Sequence, residues 1–177
     1  MEKNPLLIKE DQIYSRYAAR LLAVCMRYTG ERSAAEDVLH DSFISIFKSL
    51  GRFDFRGEKA LYAWMRKIAV NKSLDWLRSR ARDPIPLDDG HIPDYADESG
   101  PESGDVAKVP MDVLTKMIAE LPEGYRTIFN LFCIEGWSHA QIAKKLGIKE
   151  NSSSSQYNRA RARLAKKIKE YLNEQEK

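Results

Sequence analysis

The sequence predicts an all-α protein of two helical domains joined by an acidic flexible linker, with a helix-turn-helix in the C-terminal domain. Three observations carry that expectation. Apolar residues recur at steps of three and four with no sustained alternation, which is the period of a helix and not of a strand. Five of the seven prolines and three glycines collect between Asp83 and Pro110. Charge is also uneven: residues 1–82 balance to +6, residues 83–110 to −7 and residues 111–177 to +4. Such a stretch buries too little apolar surface to offset its ordering entropy, so 83–110 is expected to connect domains at 1–82 and 111–177. Two basic blocks around an acidic spacer suit two surfaces that meet a polyanion and a connector repelled by it.

In the first domain Leu39, Phe43, Ile46, Phe47 and Leu50 form one helical stripe, with Glu36, Asp37 and Asp41 off it. Gly51 is expected to close that helix. The loop RFDFRGEK then leads to a long helix with an apolar face of Leu61, Trp64, Met65 and Ile68. Arg66, Lys67, Lys72, Arg78, Arg80 and Arg82 give that helix its positive charge. Aromatic and basic residues interleave here as Phe53, Phe55, Arg56, Tyr62, Trp64, Arg66 and Lys67, a composition that suits melted DNA, where unpaired bases stack on rings and cations follow the backbone. Trp64 and Trp76 are expected in the core and Phe53 and Phe55 at the surface. A flipped base could sit between loop and helix, read by an amide such as Asn71.

The second domain is punctuated. Leu114, Met117, Ile118 and Leu121 make one stripe, and Pro122 fits the first turn of the next helix. Tyr125, Ile128, Phe129 and Phe132 continue it until Gly136. Ser138 followed by Gln141 is a capping box that opens a short helix through Ile142, Ala143 and Leu146, and Gly147 supplies the left-handed turn. A further helix follows from about Ser152, with Asn151 or Ser152 as its cap. Its buried side is read as Tyr157, Ala160, Leu164, Ile168 and Tyr171. Its exposed side is read as Ser152, Ser155, Gln156, Arg159, Arg163 and Lys166, short hydrogen-bonding groups followed by cations, as a major-groove helix requires.

Cys25 and Cys133 fall in apolar helical patterns and are expected as buried thiols. His40, His91 and His139 lack zinc-ligand spacing, so no metal or other cofactor is expected. Gly51 to Lys59, GRFDFRGEK, lacks the ending of a phosphate-binding loop. No apolar run approaches the roughly 20 residues of a membrane span and no leader pattern opens the chain, so a cytoplasmic protein without membrane insertion is expected. Two rivals are an ordinary helix-turn-helix regulator and an enzyme acting on DNA. Against the first stands the basic-aromatic reader composition of the amino domain; against the second, the place of Glu36, Asp37 and Asp41 among polar helix positions, with no nucleophile-and-base pattern.

Three segments together resemble the sigma-70 family. AAEDVLHDSFISIFKSL looks like the part that grips RNA polymerase, FRGEKALYAWMRKIAVNKSLDWLRSR like the minus 10 reader, and LPEGYRTIFNLFCIEGWSHAQIAKKLGI with its basic helix like the minus 35 reader. The resemblance covers most of residues 10–172 and points to the extracytoplasmic-function (ECF) class. It implies a factor that binds core RNA polymerase and promoter DNA, catalyses no reaction, and has a cognate anti-sigma protein. It further implies polymerase contact near Glu36, Asp37 and Asp41, a minus 10 pocket with Phe55, Arg56 and Asn71, and minus 35 contacts from Ser154, Ser155, Asn158 and Arg159. Tyr62 joins the minus 10 set from its place in the basic-aromatic segment, and Ser152 and Arg163 join the minus 35 set from their place on the exposed arc. The recognition helix departs from the usual pattern by opening on Asn151, Ser152, Ser153 and Ser154 without a cation. The acidic linker is expected to follow a positively charged polymerase channel.

Overall fold

The computed structural model describes residues 10–80 and 103–175, and the chain divides into two compact units, Met1–Arg82 and Asp83–Lys177. No strand occurs among the described residues. Residues 83–102 of the expected linker, with His91, lie outside them, as does Arg82.

Unit 1 is built from α1 (Glu10–Thr29), α2 (Arg32–Leu50) and α3 (Glu58–Arg80), each packed on the other two. The predicted α2 stripe turns inward, with Leu39, Phe43, Ile46 and Leu50 buried and Phe47 half-buried. Small residues fill the crossings: Cys25, Ala35, Ser42, Ala69 and Ser73 are fully enclosed, so the helix backbones approach closely. The two serines stay satisfied by donating to carbonyls four residues back, Ser42 to Val38 at 2.6 Å and Ser73 to Ala69 at 2.8 Å. Gly51 follows α2 as expected, but at φ −65°, so no left-handed cap is formed there.

Unit 2 gathers around its last helix. The helices are α4 (Ser103–Ala107), α5 (Met111–Ala119), α6 (Glu123–Phe129), α7 (His139–Leu146) and α8 (Glu150–Gln175), and α4 to α7 each touch α8. Here the expected linker is corrected at its end. Val106 and Val109, three residues apart, give Ser103–Ala107 a reason to fold, and Val109 is buried with Met117, Leu121, Tyr125, Ala160, Leu164 and Ile168. Pro122 is the residue before α6 and not within its first turn.

After Phe129 the helix widens into a π turn at Asn130–Ile134, where the Glu135 amide donates to the Asn130 carbonyl at 3.0 Å. The extra residue per turn rotates the following side chains, so Leu131 becomes fully buried and Phe132 only half-buried. Arg126 is nearly enclosed, 9% exposed, and donates from its guanidinium to the carbonyls of Ala119 (2.8 Å) and Leu121 (3.4 Å), where α5 ends. Burial lowers its pKa, opposed by the nearby Glu123 carboxylate.

Candidate nucleic-acid interface

In unit 2 the helix-turn-helix forms where local chemistry places it. The Ser138 hydroxyl accepts from the Gln141 amide at 3.2 Å and the Gln141 carboxamide accepts from the Ser138 amide at 2.9 Å, which fixes the start of α7. At the other end Gly147 adopts φ +71°, and the amides of Gly147 and Ile148 both donate to the Ala143 carbonyl, at 2.9 and 3.1 Å. A Cβ at Gly147 would meet nothing within 4 Å, so the left-handed backbone and not crowding makes glycine the suitable residue. Buried Ile142 and Ala143 lie on the inner side of α7.

The turn aims α8. Ser155 and Asn158 are exposed and Ser152 and Arg159 half-buried, and at 100° per residue these four share one outward arc with Asn151 and Lys166. Ser154 is half-buried at the flank of that arc. Three expectations are corrected. Gln156 is buried, because the core beneath α8 claims its side of the helix. Arg163 is half-buried with its guanidinium 5.3 Å from the centre of the Tyr125 ring, a cation–π contact that draws it toward α6. Asn151 and Ser152 do not cap α8, since the helix begins at Glu150 and holds both in its first turn.

In unit 1 the loop between α2 and α3 is tied at its start by Arg52 and Phe53 amides donating to Ser49 and Leu50 carbonyls, at 3.0 and 3.1 Å. This brings the Phe53 ring onto Trp64, centroids 4.6 Å apart and planes 28° apart. Beside the stack lies a concavity of about 390 Å³ lined by Ser49, Arg52, Phe53, Asp54, Arg56, Ala60 and Trp64. Trp64 and Trp76 are half-buried, against expectation: Trp64 forms a wall of the concavity, and Trp76 carries the Arg80 guanidinium 4.6 Å from its ring centre. Phe53 and Phe55 are half-buried too, not freely exposed.

Of the predicted minus 10 residues, Arg56 lines the concavity and forms an exposed ion pair with Asp54 at 2.8 Å. Asn71 lies seven residues beyond Trp64 on the same face of α3, its carboxamide donating to the Lys67 carbonyl at 2.9 Å. Phe55 is not among the lining residues. Tyr62 points the other way, against α1, stacked near Tyr17 (6.1 Å) with the Arg20 guanidinium 3.8 Å from its ring centre. Sequence reading missed Arg52 and Ser49 as lining groups, for which only proximity to Phe53 was a signal. Glu36, Asp37 and Asp41 are all exposed on α2, and Arg32 pairs with Glu36 at 2.8 Å. Ile44, 40% exposed, extends the line Asp37–Asp41 by one turn.

The cysteines differ. Cys25 is buried, and burial pushes its thiol up to about 11, with Ser73 opposing. Cys133 is exposed, contrary to expectation, its Sγ 3.4 Å from the Tyr157 hydroxyl, because the π turn shifts it off the inner face. Burial, and then the Cys133 contact, raise Tyr157 to about 12. At pH 8 an aromatic disulfide reagent is expected to label one thiol within seconds to minutes and the second only on unfolding, since a thiol of pKa about 11 is roughly one part in a thousand thiolate there. Both raised groups hold their protons longer when folded. Their contribution to stability is therefore complete below about pH 9 and lost as pH rises through about 11 to 12.

The Sigma-70 region 2 family model matches residues 13–83, and the Sigma-70, region 4 model matches residues 111–164. The chain is 28% identical to the RNA polymerase sigma-H factor of Pseudomonas aeruginosa, over 93% of this chain and 88% of that protein. It is 30% identical to the ECF RNA polymerase sigma-E factor of Haemophilus influenzae, over 88% and 85%. It is also 30% identical to the ECF RNA polymerase sigma factor SigM of Mycobacterium tuberculosis, over 92% and 78%. Its fold is similar to that in the co-crystal structure of the sigma factor RpoE with the anti-sigma factor NepR from Bartonella quintana, with a TM-score of 0.51 and 21% identity over 92% of this chain and 98% of that one. An all-helical, two-unit DNA-binding protein is the class that these features define. The chain belongs to the sigma-70 family, among the ECF RNA polymerase sigma factors, and directs RNA polymerase to promoters for transcription initiation.

Proposed function

We propose a division of labour between the units, carried by one observation: the aromatic–basic concavity at the α2–α3 loop lies in one unit and the outward polar arc of α8 in the other. Unit 1 docks on core polymerase through the α2 surface of Glu36, Asp37 and Asp41. It then takes up an unpaired base of the opened minus 10 strand against Phe53 and Trp64, with Arg52 and Arg56 neutralising phosphate and Phe55 and Asn71 at the margin. Tyr62 supports this site by packing on α1. Unit 2 lays α8 in the minus 35 major groove, where Ser152, Ser154, Ser155, Asn158 and Arg159 meet base edges and phosphate, and Arg163 orients against Tyr125 at the edge.

Binding energy performs this task, so the protein acts without a catalytic group, in the cytoplasm, with an anti-sigma partner masking its surfaces until a signal arrives. The similarity in fold to a sigma factor solved with an anti-sigma factor supports that last part. Run-off transcription with purified core polymerase tests the reading. Asn71→Ala and Arg159→Ala are each expected to lower initiation roughly tenfold, as for loss of one contact worth about 1.4 kcal/mol. Full activity in both variants would refute the assignment.

A further inference from the structure

The start of α8 poses a problem of indexing. Ser152 to Ser155 are four identical side chains in succession, so rotating this turn by one residue, 100° about the axis, replaces serine by serine. Buried Ala160, Leu164 and Ile168 set the phase of α8 further along, but the run itself, in the first turns ahead of that face, holds no apolar residue to repeat the setting, and it supplies groups proposed to meet the minus 35 bases. One contact within it breaks the degeneracy. The His139 Nδ1 lies 3.0 Å from the Oγ of Ser153, which is wholly buried, whereas Ser155 two residues on is exposed. The imidazole is itself held, stacked on Phe132 with centroids 4.4 Å apart and planes 11° apart, and it lies 5.7 Å from the Tyr157 ring. Phe132 in turn lies 4.5 Å from Tyr157, and it reaches this position from the π turn.

We propose that His139 is a positioning residue for promoter specificity: its hydrogen bond holds Ser153 as the inward serine at the start of α8 and thereby keeps Ser155 facing the groove. Ser153 and Ser155 are 200° apart on the helix, so pinning the first inward turns the second outward. The capping box at Ser138 and Gln141 anchors the ring from the other side, because His139 is the first residue of the helix it starts. The inference rests on the reading of α8 as the minus 35 helix.

The test measures discrimination by the full holoenzyme. A promoter is selected by the wild type from a library randomised at minus 35, and initiation from it is compared with initiation from singly substituted minus 35 sequences. His139→Phe keeps a ring on Phe132 but removes the nitrogen, and Ser153→Ala removes its partner while improving helix propensity. Each is expected to lower the discrimination ratio roughly tenfold, the size of one base contact. The double variant is expected to fall no further, and His139→Asn, which restores a hydrogen-bonding atom near the Nδ1 position, to recover most of the ratio. A purely structural role would lower stability and leave the ratio unchanged. If both single variants keep wild-type discrimination while Arg159→Ala loses it, the indexing role is wrong. If Arg159→Ala also keeps it, the minus 35 reading of α8 fails, and this inference with it.

Discussion

Replacing Arg126 by alanine is expected to remove about 3 kcal/mol from unit 2, the cost of leaving buried carbonyls without their charged donor. The guanidinium serves both the Ala119 and Leu121 carbonyls, so one truncation strips the end of α5 and the connection into α6 together. Leu121 itself packs with Tyr125 on Ala160, Leu164 and Ile168 of α8, so the damage passes directly to α8. For a domain of this size the melting transition of unit 2 should fall by roughly 10–20 °C, with that of unit 1 unmoved. Arg126→Lys should recover only part of the loss, because an ammonium lacks the fork that spans two acceptors. Thermal melting followed by circular dichroism checks this, and an unchanged unit 2 transition would show that the carbonyls are served by other donors.

The second large effect is expected at Trp64. Its ring forms one wall of the unit 1 concavity and backs Phe53, so Trp64→Ala removes a stacking surface and loosens the other. Base–aromatic stacking contributes about 1–3 kcal/mol per base, which corresponds to roughly a thirtyfold loss of open complex at the middle of that range. Because Trp64 is half-buried and not part of the central core, the variant should fold, and Trp64→Phe should restore much of the activity. Permanganate reactivity of promoter thymines, read with the holoenzyme, follows strand opening directly. Wild-type opening by Trp64→Ala would remove the concavity from the account.

What could be read in the sequence divides along a physical line. The capping box at Ser138 and Gln141 and the left-handed Gly147 are determined by residues within a few positions, and both form as read. The α2 stripe was legible for a similar reason, since a helix buries the side that its apolar residues define. Errors fall where a neighbour decides. Gln156 is polar, yet the core beneath α8 encloses it. Trp64 is large and apolar, yet the adjoining loop leaves one side open as a concavity. The π turn at Asn130–Ile134 has no local signature, and it displaces every expectation that assumed a steady period through Phe132 and Cys133. Of the proposed contacts, Arg56 stands in the concavity and Ser155, Asn158 and Arg159 share the outward arc of α8, whereas Tyr62 and Arg163 are drawn into packing by Arg20 and Tyr125.

The division of labour is tested most directly by coupling protein and template changes in one run-off series with core polymerase. Wild type and Arg159→Ala are compared on an intact promoter and on one whose minus 35 element is scrambled, both with the minus 10 region unchanged. The account predicts that the scrambled element lowers initiation more than Arg159→Ala, which removes one of several minus 35 contacts, and that Arg159→Ala has a much smaller effect on the scrambled template than on the intact one. An Arg159→Ala defect that persists in full on the scrambled template would show that α8 does not act through minus 35 DNA.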